Sequence, residues 1–208
     1  MKLRILNYIL TIEKMDIKSN AYNDCEFNQY SEKNSMEEIG METEVVYNVL
    51  DIARYVVEYC IKQGTSISQI QLQKIIYYIQ ANFLVKRNGV PCFQEPILNW
   101  TYGPVVREVY DEFRKYGSNK ITSVPEIKEM EVDDNFNFIY KSLPFDSSII
   151  QECDRTIINE VVDKYRIEDP FKLVEKTHNE EPWKKTRRNE EIEIHLIVDY
   201  YKNHLEDL

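Results

Sequence analysis

Three histidines are the first residues to test for chemistry, because imidazole can serve as acid, base or metal ligand near neutral pH. His195 and His204 stand nine residues apart. That spacing does not place them on one helical face, as an i, i+4 metal pair would require. His178 is followed by Asn179, Glu180 and Glu181. Such a cluster could move a proton, with His178 as base and Glu180 or Glu181 as its carboxylate partner; it equally suits a helix cap or a surface hydrogen-bond site. Cys25, Cys60, Cys92 and Cys153 are far apart and form no C-x-x-C pair, so reduced thiols in the cytosol are expected. No G-x-S-x-G, Walker loop or H-E-x-x-H occurs. The expectation is a protein with no catalytic residue, no metal and no cofactor.

The charged residues fall into two runs. Glu126, Glu129, Glu131, Asp133 and Asp134 read as a solvated acidic loop. Lys184, Lys185, Arg187 and Arg188 could touch nucleic acid or an acidic partner, or could complement the C-terminal end of a helix. The chain has 26 Lys and Arg against 36 Asp and Glu, a formal charge of −10. That balance excludes a broad basic surface of the kind that displaces counterions from phosphate, and nucleic acid is not the expected partner. The densest aromatic chemistry lies between Leu72 and Phe113, where Tyr77, Tyr78, Trp100, Tyr102 and Tyr110 gather with polar residues. Trp100 to Val105 reads as a tight turn leading into a helix: either a packing corner or a rigid aromatic anchor for a protein partner.

The elements that must position these residues are mostly helices. The length of 208 residues favours one domain with at most an appendage. Val45, Val49, Ile52, Ala53, Val56 and Cys60 recur at spacings of three and four and predict a helix that stops at Gly64. Ser68 and Gln71 have capping-box spacing and open a second helix with Leu72, Ile75, Ile76, Ile79 and Phe83 inside, ending at Asn88-Gly89. Gly103-Pro104 is expected to start a third helix, with Val105, Val106, Val109, Tyr110 and Phe113 inward and Gly117 as its end. Ser148 with Gln151, Asp169-Pro170 and Asn189 are expected to open three more. Strand signals are weak: Pro91 to Thr101 could be extended, and Phe136 to Tyr140 alternates briefly. The predicted fold is mainly α, a single compact helical domain of about six helices with at most a small β-hairpin.

Residues 1–44 differ from the rest and are expected to form an N-terminal extension, partly disordered or partner-docking, ahead of a domain spanning 45–208. The opening run resembles a signal peptide, but Asn7 and Tyr8 interrupt it, Glu13 and Lys14 end it, and no small-residue cleavage site follows. Met36 and Met41 would serve as later starts. Leu3, Leu6, Ile9, Leu10 and Ile12 need an apolar cover and are candidate partner-binding residues. No stretch reaches the roughly 20 apolar residues of a spanning helix.

Several segments together resemble a known family. Leu72, Gln73 and Lys74, then Tyr77 and Gln80, the G-x-P at Gly89–Pro91, Trp100, Tyr102, Gly103, Pro104, Val105 and Tyr110 resemble the Panacea domain, the SocA-like antitoxin family, whose phage-associated members are labelled GepA. Thr177 and His178 followed by Pro182 and Trp183 are similar to that family's T-H…P-W element. The likeness runs roughly from Val45 to Tyr201; Asn99 and Thr101 stand where the family usually has alanine and arginine. The resemblance implies a cytosolic antitoxin that binds and neutralises a cognate protein toxin, with motif residues that mostly hold the fold. It also implies two alternatives, an adaptor delivering the toxin to a Clp-type protease and a phage protein acting on a host protein. An enzyme built on His178, and autoregulation through DNA binding at Lys184–Arg188, are the competing expectations.

Overall fold

The computed structural model describes residues 45–132, 136 and 138–208. The expected partner-docking residues Leu3, Leu6, Ile9, Leu10 and Ile12 lie outside the described residues.

Helix α1 (Val49–Lys62) begins when the Asn48 side chain accepts from the Leu50 N–H at 2.8 Å, leaving Val45 and Tyr47 outside it. It ends as the sequence predicts. Gly64 takes a φ of +69°, Thr65 N–H reaches Cys60 C=O and Gly64 N–H reaches Ile61 C=O, which together satisfy the last carbonyls. Helix α2 (Gln69–Lys86) opens with the complete Ser68–Gln71 capping box. The predicted inner face is buried, but so is nearly every other residue of α2, because five other helices pack around it.

That position forces polar side chains inside, where each must find a partner. Gln71 donates to the carbonyls of Arg166 and Glu168. Gln80 accepts from Cys92 N–H and donates to Phe93 C=O. Gln73 accepts from Val106 N–H at 2.9 Å and donates to Val106 C=O at 3.3 Å. Gln69 donates to Tyr110 C=O at 3.0 Å. Four glutamines thus fasten four passing segments to one helix.

Two antiparallel two-stranded sheets replace the single small hairpin of the sequence expectation. β1 (Ile97–Trp100) pairs with β2 (Gly103–Val106), Trp100 facing Gly103 and Ile97 facing Val106. Gly103-Pro104 therefore does not start the third helix. Proline is tolerated on an edge strand, and the helix, α3 (Arg107–Phe113), begins three residues later. Its Val109 and Phe113 are buried, and Gly117 follows with a φ of +54°. β3 (Ile127–Val132) pairs with β4 (Phe138–Leu143), so Glu129 and Glu131 belong to a strand rather than to a solvated loop.

Helix α4 (Glu152–Tyr165) starts after Gln151 with no side-chain cap; Ser147–Ile149 is a separate 3-10 turn, and Ser148 forms no capping box. Its buried face is Ile158, Val161, Val162 and Tyr165. Asp169 caps α5 (Pro170–Asn179) through Phe171 and Lys172 N–H, as its sequence predicts. A short helix, α6 (Glu181–Lys185), follows at once. The last, α7 (Ile194–Tyr201), opens after Glu193 and not at Asn189, which instead sits in a turn with a φ of +65°. Ile197, Val198 and Tyr201 are buried there, while Leu205 beyond it is exposed. The described residues therefore hold seven α-helices and remain mainly α.

Candidate functional site

Residues far apart in the chain meet around the β1–β2 turn. Helix α2 supplies Gln73 and Lys74, β1 supplies Trp100, the turn supplies Tyr102, β2 supplies Val105, α3 supplies Tyr110, and the segment after α6 supplies Arg188. They line a cleft of about 420 Å³. Trp100 and Tyr110 pack edge to face with ring centres 5.1 Å apart, and the Arg107 guanidinium lies over the Trp100 ring at 5.3 Å. Arg188 closes one end by donating to the Thr101 hydroxyl at 2.6 Å.

Lys74 stands at the back of this cleft, fully buried, with its ammonium donating to Pro104 C=O at 3.0 Å. Burial lowers its pKa to about 7, against a smaller raising effect from the Glu180 carboxylate. Between pH 7 and 10.5 the unfolded chain holds a proton that the folded domain has released. Stability should therefore rise with pH across that window. Urea unfolding between pH 7 and 9 is expected to show up to about 1 kcal/mol gained per pH unit in the parent, a slope that Lys74→Met should remove.

The downstream element supports the turn from the other side. His178 stacks on Trp183 with ring centres 3.9 Å apart, and Trp183 Nε1 donates to Trp100 C=O at 3.3 Å. Asn99 Nδ2 donates to the carbonyls of Trp183 and Thr186, each at 2.8 Å. Asn99 also exchanges backbone hydrogen bonds with the chain after α6, donating to Glu190 C=O and accepting from Asn189 N–H. Thr177 is buried, donates to Val174 C=O and packs beside Gly103; Pro182 is buried in the first turn of α6. The two sequence motifs thus form one joint, and Asn99 fastens its halves.

Behind the joint lies a buried carboxylate. Glu180 accepts from the Tyr78 hydroxyl at 2.8 Å and from the Tyr201 hydroxyl at 2.7 Å. Burial raises its pKa, partly opposed by those two hydrogen bonds and by Lys176. Tyr77 packs against the rings of both tyrosines. Leu72 lies in the core proper. Of the residues that matter here, Asn99 and Tyr201 are not among the motif residues; the position of Asn99 beside Trp100 was the available signal.

The carboxylates that would partner His178 as a base make bonds elsewhere. Both Glu180 oxygens are taken by tyrosines, and Glu181 pairs with Lys185 at 2.6 Å. Burial and the nearby Lys74 charge lower the His178 pKa, against a hydrogen bond with the Thr101 backbone. The cationic run is likewise engaged locally. Lys184 donates to Asn179 C=O at the end of α5, and Arg187 lies 4.0 Å from Glu190. Among the described residues no cluster of three metal-ligating side chains occurs, and no helix is long and apolar enough to cross a membrane.

A helical body whose motif residues converge on one aromatic turn defines a class of domain, and comparison gives that class its name. The family model described as antitoxin SocA-like, Panacea domain, matches residues 72–184, more than half of the chain. The chain belongs to that family. The match begins at the first motif residue on α2 and ends just past Trp183, so it contains both halves of the joint. No curated protein and no solved structure matches the chain.

Proposed function

We propose that this protein is an antitoxin that binds a cognate protein toxin and neutralises it by direct contact in the cytosol, without catalysis. Family membership carries the reading. The bonds and stacking of Thr177, His178 and Trp183 within the joint support a structural role for these motif residues, and the reading puts recognition on surfaces outside the motifs. The carboxylates beside His178 are committed to structural bonds, which favours a binding role over an enzymatic one.

The test uses the product of the reading frame adjacent to this one in its genome. Co-expression should restore growth to cells that product poisons, and the two proteins should co-purify as a complex. Failure of both would remove the reading. Rescue accompanied by a shortened toxin half-life, lost in cells lacking Clp-type proteases, would replace blocking by proteolytic delivery.

A further inference from the structure

The cleft around the β1–β2 turn differs in charge from the molecule as a whole. The chain carries a net charge of −10. The residues lining this cleft nevertheless include two cations, Lys74 and Arg188, and no Asp or Glu. A concave site of one sign, walled by low-dielectric side chains, focuses its field on whatever enters. Its walls are aromatic: Trp100 and Tyr110 meet edge to face, and Tyr102 at the turn is 58% exposed. The volume of about 420 Å³ lies within the roughly 300–1,000 Å³ of sites that take small ligands. Such sites combine apolar walls with a few polar anchors, as this one does.

Lys74 shows which sign of ligand the cleft suits. A buried charge is costly unless it is paired. The Lys74 ammonium donates to a neutral carbonyl, Pro104 C=O. The carboxylate that attracts it, Glu180, accepts with both oxygens from tyrosine hydroxyls. The folded domain relieves this cation by releasing its proton near pH 7, whereas an anion in the cleft would relieve it by pairing. Arg188 offers a second positive charge. It is exposed, and the Thr101 hydroxyl to which it donates is a neutral partner. A guanidinium matches the two oxygens of a carboxylate or phosphate with parallel N–H groups.

We propose that this cleft binds a small aromatic anion, a planar ring joined to a phosphate or carboxylate group, with the ring against Trp100, Tyr102 and Tyr110 and the anionic group held by Lys74 and Arg188. This goes beyond the antitoxin reading, and its test does not depend on a toxin. The probes are adenosine 5′-monophosphate and indole-3-acetate, titrated by calorimetry against the full chain at about pH 7. Each is compared with its separated halves, adenosine and inorganic phosphate for the first, indole and acetate for the second. At least one probe should bind at least about tenfold more tightly than either of its halves, because only the whole engages ring and cations together. Which probe does so distinguishes a nucleotide from an aromatic carboxylate as the source of the chemistry. At about a hundred times its Kd, that probe should raise the melting temperature by about 5 °C, since it binds the folded chain alone. Arg188→Gln and Tyr102→Ala should each weaken binding at least about tenfold. Both side chains are exposed, so each variant should melt within about 2 °C of the parent. The proposal is overturned if neither probe binds, or if a half binds as tightly as its whole. Parent affinity retained within about threefold in either variant would overturn it equally, because the probe would then be bound elsewhere.

Discussion

Replacing Gly103 by alanine is expected to destabilise the domain by about 3–5 kcal/mol, enough to leave much of the chain unfolded at 37 °C. Two effects add. Gly103 has a φ of +96°, a backbone conformation that side chains with a Cβ rarely adopt. A methyl built there would also lie 2.7 Å from both Lys74 Cε and Thr177 Oγ1, and 2.9 Å from Lys74 Nζ. Neither neighbour has an easy retreat: Lys74 and Thr177 are buried, Lys74 is tied to Pro104 C=O, and Thr177 is tied to Val174 C=O. Thermal unfolding measures the effect. A loss below about 1 kcal/mol would show that β1–β2 can shift away from α2 and that the joint is looser than its geometry indicates.

The second large effect concerns Glu180. Glu180→Ala should cost about 3–4 kcal/mol, because it leaves the buried hydroxyls of Tyr78 and Tyr201 without their acceptor and opens a void between α2, α5 and α7. Glu180→Gln keeps the volume and one acceptor oxygen, and should cost only about 1–2 kcal/mol at pH 5. The two forms differ in their response to pH. Burial raises the folded pKa of Glu180 above the value of 4.5 that an unperturbed glutamate has. The folded state therefore holds this proton more tightly than the unfolded chain does. The stabilisation is complete below pH 4.5 and is lost as pH rises through the folded pKa. The parent should weaken relative to the glutamine variant as pH rises from 4.5, a trend that urea titrations at several pH values up to 6.5 would measure. A parallel pH dependence in the two proteins would mean that Tyr78, Tyr201 and Lys176 fully offset the cost of burying the carboxylate.

Where an element is amphipathic, its position was legible from the sequence. The stops at Gly64 and Gly117 and the caps at Ser68 and Asp169 follow from local backbone chemistry, and local chemistry is what a sequence displays. Helix α2 was legible as a helix but not as the centre of the fold. Gln69, Gln71, Gln73, Lys74 and Gln80 have side chains that ordinarily face water, and nothing in their spacing shows that passing backbone will satisfy them. The strand at Gly103–Val106 was hidden for a related reason: a proline after glycine suits the first turn of a helix as well as an edge strand, and the pairing with Ile97–Trp100 is a tertiary fact. The candidate site was legible as two motifs through resemblance to a family. That the motifs touch, and that Asn99 joins them, required the fold. The exposed hairpin residues were hard to read because Met130 and Val132 stand among carboxylates in the sequence, whose charges make the segment read as solvated.

The glutamines of α2 have a consequence for how a family built on this plan can diversify. Gln69, Gln71, Gln73 and Gln80 bind the main chain of the segments they hold, at Tyr110, Arg166, Glu168, Val106, Cys92 and Phe93. A peptide group is chemically the same whatever side chain it carries, so an anchor of this kind does not read the identity of the residue it grips. Outward-facing side chains on those segments can be exchanged without loosening their attachment, much as tools can be swapped in a common handle. Combinatorial libraries confined to the outward positions beside those anchors should therefore yield a high fraction of folded members.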